Sequence, residues 1–113
     1  MNQLQEDLLE VSVVNIQRYP DLNDKEKRNW CLVCHDGSNT ALLINFKTSS
    51  LVNSFYNDKP NTSYLYAIFD EGGSLVICPC SDSYLYVFDT KTAKMIAMTQ
   101  LPTARKEHNI STR

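Results

Sequence analysis

The sequence holds little of what usually announces a reaction. Its 113 residues contain three glycines, two histidines and one tryptophan. With glycine this scarce there is no phosphate-cradling loop: Gly72-Gly73 is followed by Ser-Leu-Val-Ile, not by a lysine and a helix. The histidines, His35 and His108, have no nucleophile elbow to serve, so hydrolytic catalysis is not expected. An excess of positive charge is lacking too, since 11 Lys and Arg stand against 13 Asp and Glu, a formal net charge of -2. A nucleic-acid or anionic-membrane binder would need clustered cations. Apolar runs such as Ala41–Ile44 and Leu75–Cys78 fall far short of the ~20 residues that cross a bilayer. Met1–Glu10 carries acids among its leucines in place of the basic region and apolar core of a secretory signal. The expectation is a cytoplasmic or nuclear, non-enzymatic chain with no cofactor, no nucleic acid and no membrane. Hydrophobic residues still make up 42%, which is a globular fraction and not that of a disordered tail.

What is present is a succession of short β-prone runs. Residues 1–10 form a polar lead-in of good helix formers, one or two turns or a frayed segment. Val11, Val13, Val14 and Ile16 open a first strand that ends before Tyr19-Pro20. A charged loop, Asp21–Arg28, precedes Trp30–His35, and Thr40–Phe46 and Leu51–Tyr56 follow. After the breaker Asn57-Asp58-Lys59-Pro60-Asn61 the order recurs as Tyr64–Phe69, Leu75–Cys78, Tyr84–Phe88 and Met95–Thr99. The chain therefore divides into the lead-in, a unit over 11–56, a unit over 60–101 and a flexible tail over 102–113. Continuous runs such as Ala41–Ile44 predict strands buried on both faces.

The two units are repeats. Cys34 and Cys78 lie 44 residues apart, as do Asn45 and Asp89, Thr48 and Thr92, and Leu51 and Met95, and Cys31–Val52 aligns on Leu75–Ile96 without a gap. Four strands in a period of ~40–45 residues is the spacing of propeller blades. Asp82-Ser83-Tyr84-Leu85-Tyr86-Val87-Phe88-Asp89, followed by Thr90-Lys91-Thr92-Ala93-Lys94, resembles the second half of a WD-repeat blade. The resemblance makes Asp82 the turn aspartate before the third strand and Phe88-Asp89 the aromatic-Asp pair that ends it. Ala93 stands where glycine is usual. The first unit departs further, with Ser38 at the turn position and Ile44-Asn45 at the pair, and neither unit has the Gly-His of the pattern. The resemblance implies an all-β chain of two four-stranded antiparallel blades, with Asp82, Phe88, Asp89, Asn45, Cys34 and Cys78 as structural repeat positions. A small β-sandwich or barrel is the alternative architecture.

The four cysteines invite other chemistry. Cys31-Leu32-Val33-Cys34-His35 has the spacing of covalent haem attachment, and Cys31, Cys34, Cys78 and Cys80 together would suffice for a tetrahedral zinc site. Cys34 and Cys78 at repeat-equivalent strand positions point instead to small buried side chains. Tyr64, Tyr66, Tyr84 and Tyr86 are read as interblade core, not as a base-stacking platform. No metal is therefore expected, and the leading expectation is a protein-interaction module. Two blades leave outer faces uncovered, so protein partners, further blades or a homo-oligomer of three copies would complete it. The competing reading is a self-contained β-domain binding a small ligand, sugar or metal, with Trp30 and the tyrosines lining a pocket.

Overall fold

The computed structural model describes residues 13–102, so the lead-in and the tail beyond residue 102 lie outside it. The described chain forms β1 (Val13–Arg18), β2 (Trp30–His35), β3 (Thr40–Asn45), β4 (Ser50–Tyr56), β5 (Ile68–Phe69), β6 (Leu75–Pro79), β7 (Tyr84–Asp89) and β8 (Met95–Gln100). These make two four-stranded antiparallel sheets in the orders β1-β2-β3-β4 and β5-β6-β7-β8. Every strand pairs with its sequence neighbour. This is the meander of a propeller blade; a sandwich would exchange strands through Greek-key connections.

The repeat extends to backbone detail. The ladder slips between Leu43 and Ile44 in the first sheet and between Val87 and Phe88 in the second, 44 residues on. Within the turn that follows, Asn45 Oδ1 accepts the amides of Lys47 (3.0 Å) and Thr48 (3.1 Å). Asp89 Oδ2 accepts the Thr92 amide (2.8 Å) and hydroxyl (2.9 Å). Ser49 and Ala93 then take left-handed conformations, with φ of 60° and 62°. A Cβ in that region costs about 1–2 kcal/mol, which is why glycine is favoured at such a corner. Replacing Ala93 with glycine should therefore raise stability by roughly 0.5–1 kcal/mol, after the extra entropy of the unfolded glycine is subtracted. An upward shift of the urea midpoint checks this, and a downward shift contradicts it.

The second strands do not obey the same period. Cys34 pairs with Ala41 while Pro79 pairs with Leu85, leaving six residues (35–40) in the first hairpin and five (80–84) in the second. The offset is thus 44 on the third and fourth strands, 45 on the second (His35 to Cys80) and 51 on the first (Val13 to Tyr64). The gapless alignment is corrected accordingly: Cys78 corresponds to Val33, and Cys34 to Pro79. Because one residue inverts a strand's facing, the two cysteines are not equivalent. They enter the core between the sheets from opposite sides.

That core holds the fold together. Trp30, Leu32, Cys34, Ala41, Leu43 and Phe55 of the first sheet meet Phe69, Val76, Cys78, Tyr86 and Phe88 of the second, with Tyr19 and Tyr64 beside them. Phe55 and Phe88 pack at 5.6 Å between centroids, Tyr64 and Tyr86 at 6.3 Å. Tyr66 departs from the expectation for the tyrosines: it is exposed. The opposite face of the first sheet carries Cys31, Val33, Leu42 and Ile44.

Candidate interaction surface

The turn aspartate, Asp82, accepts the Tyr84 amide at 3.0 Å and the Tyr86 hydroxyl at 2.5 Å. Partial burial pulls its carboxyl upward, but these two bonds outweigh that and hold it below the usual carboxylate range. Burial, followed by the adjoining Asp82 carboxylate, pushes the Tyr86 hydroxyl above the ordinary phenol range. A tyrosine two positions into the following strand thus supplies the hydrogen bond. In the first sheet Ser38 does the backbone half of this work, its Oγ accepting the Thr40 amide at 3.0 Å. Asn45 and Asp89 cap their turns as described, and Phe88 sits in the core. These positions are structural supports spread over both sheets, and they do not converge on one site.

The thiols do not converge either. Cys31 and Cys34 are three residues apart on one strand and so point to opposite faces, which separates them from any single haem or zinc ion. Among the described residues no group of three or more His, Cys, Asp or Glu side chains is placed to hold a metal. All four cysteines are buried and unpaired. Burial raises the thiols of Cys31, Cys34 and, most strongly, Cys78, which disfavours the thiolate that metal binding and exchange require. Trp30 is likewise enclosed, 8% exposed and edge-on to Tyr19 at 5.8 Å.

The surface that stands out is the far face of the second sheet. Its nature follows from the interface the chain already contains. There, Asn15 of β1 donates to the Ala67 carbonyl (2.8 Å) and accepts the Ala67 amide (3.2 Å), and Gln17 accepts the Phe69 amide (2.8 Å). Asn53 of β4 donates to the carbonyls of Thr90 (3.0 Å) and Lys91 (2.9 Å). Side-chain amides thus clip the first sheet to backbone groups of the second, around an apolar centre of Leu32 and Leu43 that is fully buried. Sequence reading missed all three amides.

By the observed offsets, the second sheet carries Ile77 and Val87 in place of Leu32 and Leu43, and Tyr66, Ile68 and Ala97 in place of Asn15, Gln17 and Asn53. Ile77, Leu85 and Val87 are partly exposed, and on β8 their neighbours Ala97 and Thr99 are exposed. Among the described residues the equivalent of a buried core face is therefore partly exposed, and its amide clips have become apolar or aromatic.

Two repeated four-stranded meanders, joined face to face through a buried aromatic core, define a fragment of a β-propeller. No family model matches the sequence, and no curated protein matches it. Solved structures do. The WD40 repeats of RRP9 superpose with a TM-score of 0.65 at 7% identity, over 80% of this chain and 26% of that one. KlHsv2 with loop 6CD replaced by a Gly-Ser linker gives 0.64 at 16% identity, over 80% of this chain and 28% of that one. The fold is that of WD40-type propeller blades, and the chain spans about a quarter of these structures' length. The sandwich alternative is set aside.

Proposed function

We propose that this chain is a non-enzymatic interaction module that presents the far face of its second blade to a protein partner within a larger assembly. The observation that carries the reading is the partial exposure of Ile77 and Val87, whose counterparts Leu32 and Leu43 are fully buried. Apolar sheet surface of this kind is stabilised by covering it, at about 25 cal/mol per Å². The loss of the amide clips favours a different protein over a ring of three copies. A ring would have to repeat the internal interface without Asn15, Gln17 and Asn53 equivalents. Cytoplasmic or nuclear residence belongs to the same proposal.

The test places a charge in the face. Val87→Glu would bury a carboxylate in any complex formed there, and disrupt it, while remaining near solvent in the free chain. The wild-type protein, isolated from its native source, is expected to sediment with a stoichiometric partner, and V87E to sediment alone with unchanged Trp30 emission. A folded wild-type monomer with no partner would overturn the proposal.

A further inference from the structure

The far face of the first sheet is buried, with Val33 0% exposed, Ile44 4% and Cys31 8%. Among the described residues their cluster draws only on β1, β2 and β3, so nothing from outside that sheet joins it. Central-strand residues with an open face above them keep some exposure, as Ile77 and Val87 do on the far face of the second sheet. His35 adds a polar counterpart. It follows Cys31 and Val33 at alternate positions of β2 and so shares their face. Its Nε2 is buried with no hydrogen-bond partner among the described residues, a state that calls for a neighbour. Ile16, paired with Val33 from the edge strand, stays 58% exposed, which places the cover over β2 and β3 and not over β1.

We propose that residues 1–12 supply this cover, as an amphipathic helix laid across β2 and β3 with Leu4, Leu8 and Val11 against the sheet. Those three recur at i, i+4 and i+7, one stripe of a helix, while Glu6 and Glu10 fall on its other side. The segment joins β1 at Val13, which pairs with His35. Folded back from there, a helix advances ~1.5 Å per residue against ~3.3 Å for the strand beneath it. Val11 then lies near His35, Leu8 over Val33 and Leu4 over Cys31, which matches the stretch of β2 that is buried. Polar residues of the same segment, Ser12 nearest, provide a partner for His35 Nε2. The stretch after residue 102 is a poorer occupant, since its only aliphatic residues are Ala104 and Ile110. Of the two outer sheet faces, only that of the second sheet then remains for a partner.

Cys31 reports on the cover, because it lies on this face while Cys34, Cys78 and Cys80 lie in the core between the sheets. The probe is N-ethylmaleimide, applied to the full chain, with the labelled thiol located by peptide mass mapping. Cys31 is expected to react at least ~10-fold faster in Leu8→Glu than in wild type, since the charge lifts the segment and opens the face locally. Leu9→Glu, off the stripe, should leave the rate unchanged. Slow labelling of Cys34 and unchanged Trp30 emission establish that the blades stay folded. Should Leu8→Glu unfold the chain, a second measurement needs no disruption. Leu4→Cys is expected to form a disulfide with Cys31 under copper–phenanthroline and air, and Glu6→Cys is not. Equal Cys31 labelling in wild type and Leu8→Glu would overturn the proposal, and a rate that rises on dilution would assign the cover to a second copy instead. An absent cross-link from position 4, or an equal one from position 6, would overturn it as well. Neither readout touches the far face probed by V87E, so the two proposals fail separately.

Discussion

Replacing Phe88 with alanine is expected to lower the unfolding free energy by roughly 3–5 kcal/mol, the range for emptying a buried phenylalanine site. Phe88 is 1% exposed and meets Phe55 at 5.6 Å with the rings tilted by 58°. Three losses coincide at this position. The ring's transfer free energy goes, a cavity opens between two sheets that cannot both shift to fill it, and the aromatic contact disappears. The site is also a junction: Phe88 comes from the third strand of the second blade and Phe55 from the fourth strand of the first. Each blade alone is a single meander with one face bare, so weakening the contact between them weakens both. Against the about 5–15 kcal/mol that holds small domains folded, such a loss is a large part of the whole. Urea unfolding followed by Trp30 emission measures it, because Trp30 is the one tryptophan and is buried in the same core. A loss below about 1 kcal/mol would show that the blades do not depend on this contact. Leu85→Ala, on the partly exposed far face, is expected to cost clearly less.

The architecture was legible because its signals are local. Short runs such as Trp30–His35 and Tyr84–Phe88 coincide with strands or their cores, and the turn residues Asn45, Asp82 and Asp89 act within three or four residues of themselves. What escaped is long-range or compensated. The one-residue difference between the hairpins left no trace, because small apolar residues occupy the second strand in either register: Val33 and Cys34 are both buried, as are Cys78 and Pro79. Alignment on cysteine identity therefore chose a register that inverts a facing. The amides of Asn15, Gln17 and Asn53 bond to main-chain groups 37–52 residues away, and a backbone partner has no sequence signature. The exposed face is the converse case. Tyr66 and Ile68 read as strand residues in either environment, and only the observed offsets show that they replace clips. Residue type reports the preference for burial; the partner that provides it is a property of the tertiary fold.

Gly73→Ala should be nearly as damaging as Phe88→Ala, whereas Gly72→Ala next to it should be close to neutral. The sequence marks both residues only as turn glycines. In the structure a Cβ on Gly72 would meet nothing within 4 Å, while one on Gly73 would lie 2.6 Å from Tyr19 Cε1, 2.7 Å from Cζ and 2.9 Å from the hydroxyl. Gly73 also has φ of 83°, where an L side chain is strained by about 1–2 kcal/mol. Its hairpin cannot easily yield: the Gly73 amide donates to the Asp70 carbonyl at 3.1 Å, and Asp70 Oδ1 accepts the Leu75 amide at 3.0 Å. Tyr19 is equally fixed, edge-on to Trp30 at 5.8 Å and to Phe69 at 5.4 Å, with its own amide bonded to the Trp30 carbonyl at 3.0 Å. A neighbouring cavity of about 110 Å³ offers the ring space, but entering it gives up those two edge contacts. Strain and overpacking together set the expected loss at roughly 2–5 kcal/mol. The cause is separable by a double-mutant cycle with Tyr19→Ala. That change removes the ring the new methyl would strike, so Gly73→Ala should then cost only the backbone strain of about 1–2 kcal/mol. If Gly73→Ala costs the same with and without the Tyr19 ring, the clash contributes nothing and the backbone conformation alone requires the glycine. If it costs less in the absence of the ring, Gly73 is the seat on which a side chain from the first blade locks the second.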